Sequence, residues 1–301
     1  MAGVMRQRFV EVASEILDTH HNVALVTADL TASLFGDAKH SHPDRVLNLG
    51  IREQLMISVT GGLALAGMRP IAHSFAPFLI ERPFEQIKID LNHQHVGAIL
   101  VSAGASYDMA NAGRSHQSPG DVALVSTLPD WTIHVPGHAD EAEQQLRRAA
   151  AGDGLVYIRL SNQSNAEAFD LSGGAGFTVL REGTGAVVIA VGPLADSVLS
   201  ATENLDVTVL YTGTVRPFDA DGLRAAVGSR ATASIVLVEP YLAGTSSSEV
   251  SSALVDVPHR LLALGVSKPE LRNYGTPRQH AIAHGLGPAG LRKTITSFLA
   301  T

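Results

Sequence analysis

Short, unbroken apolar runs separated by stretches of helical period restrict this chain more than any other feature. NVALVTADL (22–30), RVLNLG (45–50), RPIAHSF (69–75), VGAILVSAG (96–104), WTIHV (131–135) and GLVYIRLS (154–161) lack the in–out alternation of a half-exposed strand. Between them, Phe9, Val12, Ala13, Ile16 and Leu17 recur at i, i+3, i+4, i+7 and i+8, the stripe of an amphipathic helix. EQLMISVTGGLALAG (53–67), FLIERPFEQIKIDLNH (78–93) and ADEAEQQLRRAA (139–150) are helical in the same way. Strands apolar on both sides, alternating with helices, belong to a parallel sheet covered on both faces, so an α/β fold is predicted. NQSNAEAFDLSGGAGF (162–177) breaks the periodicity with Asn, Ser and Gly. The alternation then restarts with AVVIAVG, DVTVLY, SIVLVEP and HRLLALGV. The expected division is a first domain over 1–165, a linker over 166–180 and a smaller α/β domain over 181–301.

Composition removes several functions. The net charge is −7 and no basic run occurs, so nucleic acid is not an expected partner. No apolar run reaches the roughly 18–20 residues that span a bilayer. The opening MAGVMRQRFVEVASEIL lacks the apolar core of a secretion signal, which points to the cytoplasm. With no cysteine there is no disulfide, no thiolate metal ligand and no cysteine nucleophile.

Ligands of such sheets bind at the carboxyl ends of strands. Asp29, the Gly50–Glu53 junction and the loops after Ser102 and Ser161 all fall at such ends. Glu53 opens a helix, where a carboxylate faces the positive end of the dipole, so capping is its plain explanation. Its helix, with Leu55, Met56, Val59, Leu63 and Leu65, is expected to be buried nearly all round, and a carboxylate in that setting is also a functional candidate. Phe75, Phe78 and Phe84 suit either core packing or a platform for a flat ring. GASYDMANAGRSHQSPGD (104–121) is a long polar loop of the kind that carries function, with His116 inside it, although a lone loop histidine is more often solvated. GDG at 152–154 leads into a strand rather than a helix. His280/His284, His40/His42 and His93/His95 lack a third ligand, so no metal site is expected. Neither a P-loop nor a G-x-S-x-G elbow is present.

PDRVLNLGIREQLMISVTGGLALAGMRPIAHSFAPFLIERPFEQIK, resumed by SHQSPGDVALVSTLPDWTIHVPGHADEAEQQL, resembles the pyrimidine-binding domain of transketolases and 1-deoxyxylulose-5-phosphate synthases. VTVLYTGTVRPFD and IVLVEPYLAG more loosely resemble the family's C-terminal domain. The chain is thus similar to the C-terminal half of a transketolase made as a separate subunit. The fold implied is a parallel-sheet, thiamine-diphosphate-binding domain followed by a smaller transketolase C-terminal-like domain.

The resemblance implies roles. Glu53 matches the glutamate that hydrogen-bonds N1′ of the aminopyrimidine of thiamine diphosphate. Phe78 would stack on that ring with Phe75 beside it, and Arg82 would border the pocket, with one extra residue between Phe78 and Arg82 relative to the closest family pattern. Asp29 matches an acid near the thiazolium, and His116 a histidine that approaches the reacting carbons. Arg6 and Ser33 fall where substrate-phosphate contacts lie. Three positions depart from the family: Gly104 replaces a histidine, Ala112 an acid that contacts a sugar hydroxyl, and Asn162 an arginine for the sugar phosphate. An ordinary pentose or hexose phosphate is therefore not the expected substrate. Mg²⁺ and the diphosphate would be held by an N-terminal pyrophosphate-binding partner, in an α2β2 assembly. The activity implied is transfer of a two-carbon ketol unit between a ketose and an aldose-type acceptor. The alternatives are a subunit like 1-deoxyxylulose-5-phosphate synthase or the 2-oxo-acid dehydrogenase beta chain, and a non-catalytic scaffold or regulatory subunit. Arg52 is assigned no role beyond a surface or interface ion pair.

Overall fold

The structure, a computed structural model, describes residues 4–171, 174–229 and 232–300. Helix α1 (Val4–Thr19) buries Phe9, Val12, Ala13, Ile16 and Leu17, the stripe that its period dictates. Strand β1 (Val23–Thr27) follows, then α2 (Gly36–Ser41), β2 (Val46–Asn48), α3 (Glu53–Leu65) and β3 (Arg69–Phe75). A wide helical segment runs from Pro77 to Asn92 around α4 (Phe84–Gln86). It leads to β4 (Ile99–Ala103), α5 (Asp121–Val125), β5 (Trp131–His134), α6 (Ala139–Ala151) and β6 (Leu155–Arg159). The second half comprises β7 (Thr178–Arg181), β8 (Ala186–Val191), α7 (Ala195–Ala201), β9 (Val207–Thr212), β10 (Thr214–Arg216) and α8 (Ala220–Val227). It ends with β11 (Ala233–Leu242), α9 (Ser247–Ala253), β12 (His259–Val266), α10 (Pro277–Ala283) and α11 (Pro288–Leu299).

Two sheets result. The first has the order β10-β5-β6-β4-β3-β1-β2 and the second β12-β11-β8-β9-β7. Every pairing is parallel except β10 with β5 and β7 with β9. Strands β1, β3, β4 and β6 are buried along their whole length, as doubly covered parallel strands must be.

The halves are joined more intimately than two α/β units in tandem. Strand β10 comes from the second half yet closes the edge of the first sheet, with Thr214 opposite His134. The hydroxyl of Thr214 lies 2.9 Å from His134 Nδ1. One continuous apolar cluster holds Val26, Leu100 and Tyr157 of the first sheet together with Val187, Leu210 and Leu237 of the second. Strand β7 begins at Thr178, inside the stretch that the sequence gives to a linker.

Helix α3 departs from expectation. It buries Met56, Ile57, Thr60 and Gly61 against the sheet and the helical segment that holds Asp90, while Leu55 (42% exposed) and Leu65 (62%) face outward, as does Ile51 (71%) just before it. The reason is geometric: a helix lying on one face of a sheet has a second side, and none of the described residues covers it. On the packed side Gly61 is required, because a Cβ there would stand 2.5 Å from the carbonyl oxygen of Asp90.

Candidate functional site

Glu53 is held at the exit of β2 by a tight local path. Gly50 takes φ +69°, a left-handed turn suited to glycine, and Arg52 caps α3, which begins at Glu53. The carboxylate is 2% exposed, and Arg82 donates to its Oε2 at 2.7 Å. Oε1 receives no hydrogen bond among the described residues. This oxygen is not among the fully buried side-chain atoms that lack a partner, so it stays accessible to a ligand although the residue as a whole is buried. Arg52, its neighbour in sequence, is exposed and forms no salt bridge among the described residues. The charged pair adjacent in the chain is not the pair that forms in space.

Arg82 reaches Glu53 from the end of a widened helical turn. The chain over Pro77–Glu81 winds as a π turn, with the Arg82 N–H donating to the Pro77 carbonyl at 3.0 Å, five residues back. Such one-turn bulges absorb an inserted residue inside a helix and gather at functional sites. Here the bulge keeps both side chains on one side: the Arg82 guanidinium carbon sits 4.2 Å from the centre of the Phe78 ring while its Nη1 serves Glu53. Phe78 and Arg82 therefore lie side by side next to Glu53.

The aromatic surface continues from there. Phe75, at the end of β3, lies 6.3 Å from Phe78 between ring centres. His116 meets both edge-on, at 5.1 Å from Phe78 and 6.2 Å from Phe75. Arg6, on α1, places its guanidinium 5.7 Å from the Phe75 centroid. Among the described residues its Nε is buried without a hydrogen-bond partner, and burial lowers the Arg6 pKa. Gly104 sits under this group with φ +70°; a Cβ there would press to 3.2 Å on the Phe75 ring. Glu53, Arg82, Phe78, His116, Phe75 and Arg6 thus form one unbroken series of contacts.

Asp29 and Ser33 stand apart from it. Asp29 takes φ +62° at the exit of β1 and exchanges two 2.9 Å hydrogen bonds with Asn48, which fixes the ends of β1 and β2 together. Ser33 is exposed on the short 3₁₀ turn Ala32–Phe35. Neither joins the aromatic series among the described residues.

The long loop over 104–121 is ordered by groups to which the sequence motifs give no weight. Arg159 (1% exposed) on β6 donates from Nε to Asp121 (0%) at 2.7 Å, and Tyr157 donates to the same carboxylate oxygen at 2.7 Å. Arg159 also donates to Ser106 at 2.6 Å, and Ser106 donates to the Pro240 carbonyl at 2.6 Å. Ser118 donates to Glu81 on the π turn at 2.8 Å. A buried ion pair such as this is costly to break from one side, so it holds the loop that carries His116. The one signal in the sequence is an arginine inside an otherwise apolar strand, YIRL.

His73 on β3 carries no motif either. Its Nδ1 donates to the Val101 carbonyl (2.7 Å), so Nε2 accepts from the Thr31 hydroxyl (2.9 Å). Burial is the main cause that lowers its pKa to about 3. The spaced histidines in and just after α10 pack against a ring: His280 and His284 flank Tyr107 with ring planes at 29° and 25° to it. The GDG turn lies at the amino end of β6, the opposite edge from the site.

Comparison with known proteins bears on the family and the fold. The family described as transketolase, pyrimidine binding domain, matches residues 3–166. A protein of Rhodococcoides fascians described as "uncharacterized 33.6 kDa protein in fasciation locus" is 52% identical over 292 residues, 97% of this chain and 93% of that one. One subunit of the apulose-4-phosphate transketolase of Actinobacillus succinogenes is 28% identical over 238 residues, covering 75% of each chain. Among solved structures, a split-gene transketolase described as an inactive beta4 tetramer superposes with a TM-score of 0.81 over 98% of both chains, at 24% identity. At that identity the likeness is one of fold.

Proposed function

The chain belongs to the transketolase pyrimidine-binding family, and on that premise we propose that it is the C-terminal subunit of a split, thiamine-diphosphate-dependent enzyme that transfers a two-carbon ketol unit. The observation that carries the reading is the free Oε1 of Glu53, among the described residues, beside a half-exposed aromatic ring. A flat heteroaromatic with a protonatable nitrogen fits that pairing: the ring rests on Phe78, and the nitrogen shares a proton with Oε1.

Thiamine diphosphate, when bound, supplies an electron sink for cleaving the bond beside a ketose carbonyl. This chain's residues do the rest. Glu53 holds a proton at Oε1 against the ring nitrogen, and Arg82 fixes the carboxylate through Oε2 so that Oε1 keeps its direction. Phe75 and Phe78 exclude water from the ring face. His116, packed edge-on against both, presents an imidazole to the space above them. Arg6 offers an unpaired donor at the far end of the same surface.

The diphosphate and Mg²⁺ fall to an N-terminal pyrophosphate-binding subunit in an α2β2 assembly. The uncovered apolar side of α3, next to Glu53, supports a contact of that kind. The description of the split-gene beta tetramer as inactive also supports the need for a partner.

The test is reconstitution. The chain, a pyrophosphate-binding partner, thiamine diphosphate, Mg²⁺ and a ketose with an aldose acceptor should give ketol transfer, and Glu53→Gln should remove it. Decarboxylation of pyruvate by the assembled enzyme, without ketol transfer, would replace this reading with a 2-oxo-acid-type subunit.

A further inference from the structure

Where β6 ends, three successive residues turn their donors onto one point. The Ser161 hydroxyl is 3.0 and 3.2 Å from the two oxygens of a carboxylate, the Asn162 backbone N–H is 2.7 Å from one, and the Gln163 amide nitrogen is 3.5 Å from the other. Converging N–H and O–H groups at the carboxyl edge of a parallel sheet are what an anion seat is made of. The carboxylate that fills it is the chain's own Asp108, 4% exposed, on the loop that carries Gly104 and His116. Both of its oxygens are engaged by these donors, and burial keeps it from meeting a substrate group directly. The arrangement has a cost: burial pushes the Asp108 carboxyl up to about 6, against the pull of Asn162, Ser161, Arg159 and Gln163. A structure that accepts this cost has closed the seat from within.

We infer that Asp108 is a resident occupant of an anion seat and sets the substrate class: the substrate end that reaches the β6 exit is an uncharged, hydroxyl-bearing terminus, not a phosphate, sulfonate or carboxylate. An external anion there would meet a carboxylate and find its donors already taken. The Asn162 side chain, exposed at the same exit, supplies a neutral amide suited to hydroxyl groups. Asp108 acts through Ser161, Asn162 and Gln163 and is a specificity residue rather than a catalytic one. The inference rests on the chain being a ketol-transferring subunit, but its first test does not.

The full chain is unfolded thermally while inorganic phosphate is raised at constant ionic strength. Wild type should show no phosphate-specific rise in Tm. Asp108→Gly leaves the donors without an acceptor; it should melt lower and regain several degrees with phosphate, by mass action on the folded state. An equal phosphate response in wild type, or none in a folded Asp108→Gly, overturns the inference. If Asp108→Gly does not fold, the wild-type assembled enzyme decides. Its kcat/KM for fructose should exceed that for fructose 6-phosphate by at least about tenfold, a difference of one good polar contact. A preference for the phosphate ester overturns the inference, whereas absence of ketol transfer with both sugars overturns the reading of function beneath it.

Discussion

Two buried carboxylates on one sheet edge behave in opposite ways. Glu53 and Asp108 are 2% and 4% exposed, and both stand at strand exits. Glu53 has one partner, Arg82, and an oxygen left over among the described residues, in front of an aromatic surface. Asp108 is tied by Ser161, Asn162 and Gln163, which take up both of its oxygens. Burial alone does not mark a catalytic acid. What separates the two is unused hydrogen-bonding capacity pointing at open space.

That contrast can be broken by experiment. Glu53→Gln should lower kcat of the reconstituted enzyme by about 10²–10⁴-fold, the range for loss of a positioned acid–base group. Its unfolding free energy should stay within about 1 kcal/mol of wild type. Full activity in that variant would falsify the role given to Glu53.

The second carboxylate should govern stability. Burial raises Asp108 from its ordinary 3.8 to about 6, so the folded chain holds a proton that the unfolded chain releases. Its contribution is complete below pH 3.8 and lost as pH rises through about 6, a swing of roughly 3 kcal/mol. His73 works the other way: lowered from 6.5 to about 3, it contributes fully above pH 6.5 and loses that contribution as pH falls toward 3. Urea unfolding across pH 3–7 should show Asp108→Asn gaining on wild type as pH rises; parallel curves would refute this. At pH 7, Asp108→Ala should cost about 2 kcal/mol by orphaning buried donors, well beyond Glu53→Gln. If the two variants cost the same, the contrast fails.

The smallest effect is expected at the aromatic surface. Phe78→Ala removes the ring under Arg82 and should weaken thiamine diphosphate binding by about tenfold, roughly 1.4 kcal/mol, read by calorimetry on the assembled enzyme. Unchanged affinity would move the cofactor ring away from Phe78.

Much of this is legible in the sequence, for identifiable reasons. Runs apolar on both faces read as strands of a covered parallel sheet, and ten of the twelve strands among the described residues correspond to such runs, including the parallel edge strands β2 and β12. The two that escape notice, β7 and β10, are antiparallel edge strands whose pairing depends on distant partners. Strand β10 is three residues long and carries no periodic signal. The aromatic cluster and Glu53 stand out because charge and rings are rare near buried helices. Asp108 does not, since its meaning lies in donors more than fifty residues away. The expected burial of α3 is too high because apolar content does not tell which side of a helix this chain covers and which it leaves open.

The π turn at Pro77–Glu81 makes the spacing of this site a matter of phase rather than distance. Each residue of an α-helix advances the side-chain direction by about 100°, so one residue inserted into a regular helix would swing everything beyond it around the axis. Here the wider turn dissipates that rotation locally, and Arg82 arrives over Phe78 and against Glu53. Length and aim are thereby uncoupled. Sequences that differ by one residue in this stretch can present the same pair of side chains to a ligand, while an equal-length change that restored a regular helix would turn Arg82 away from both.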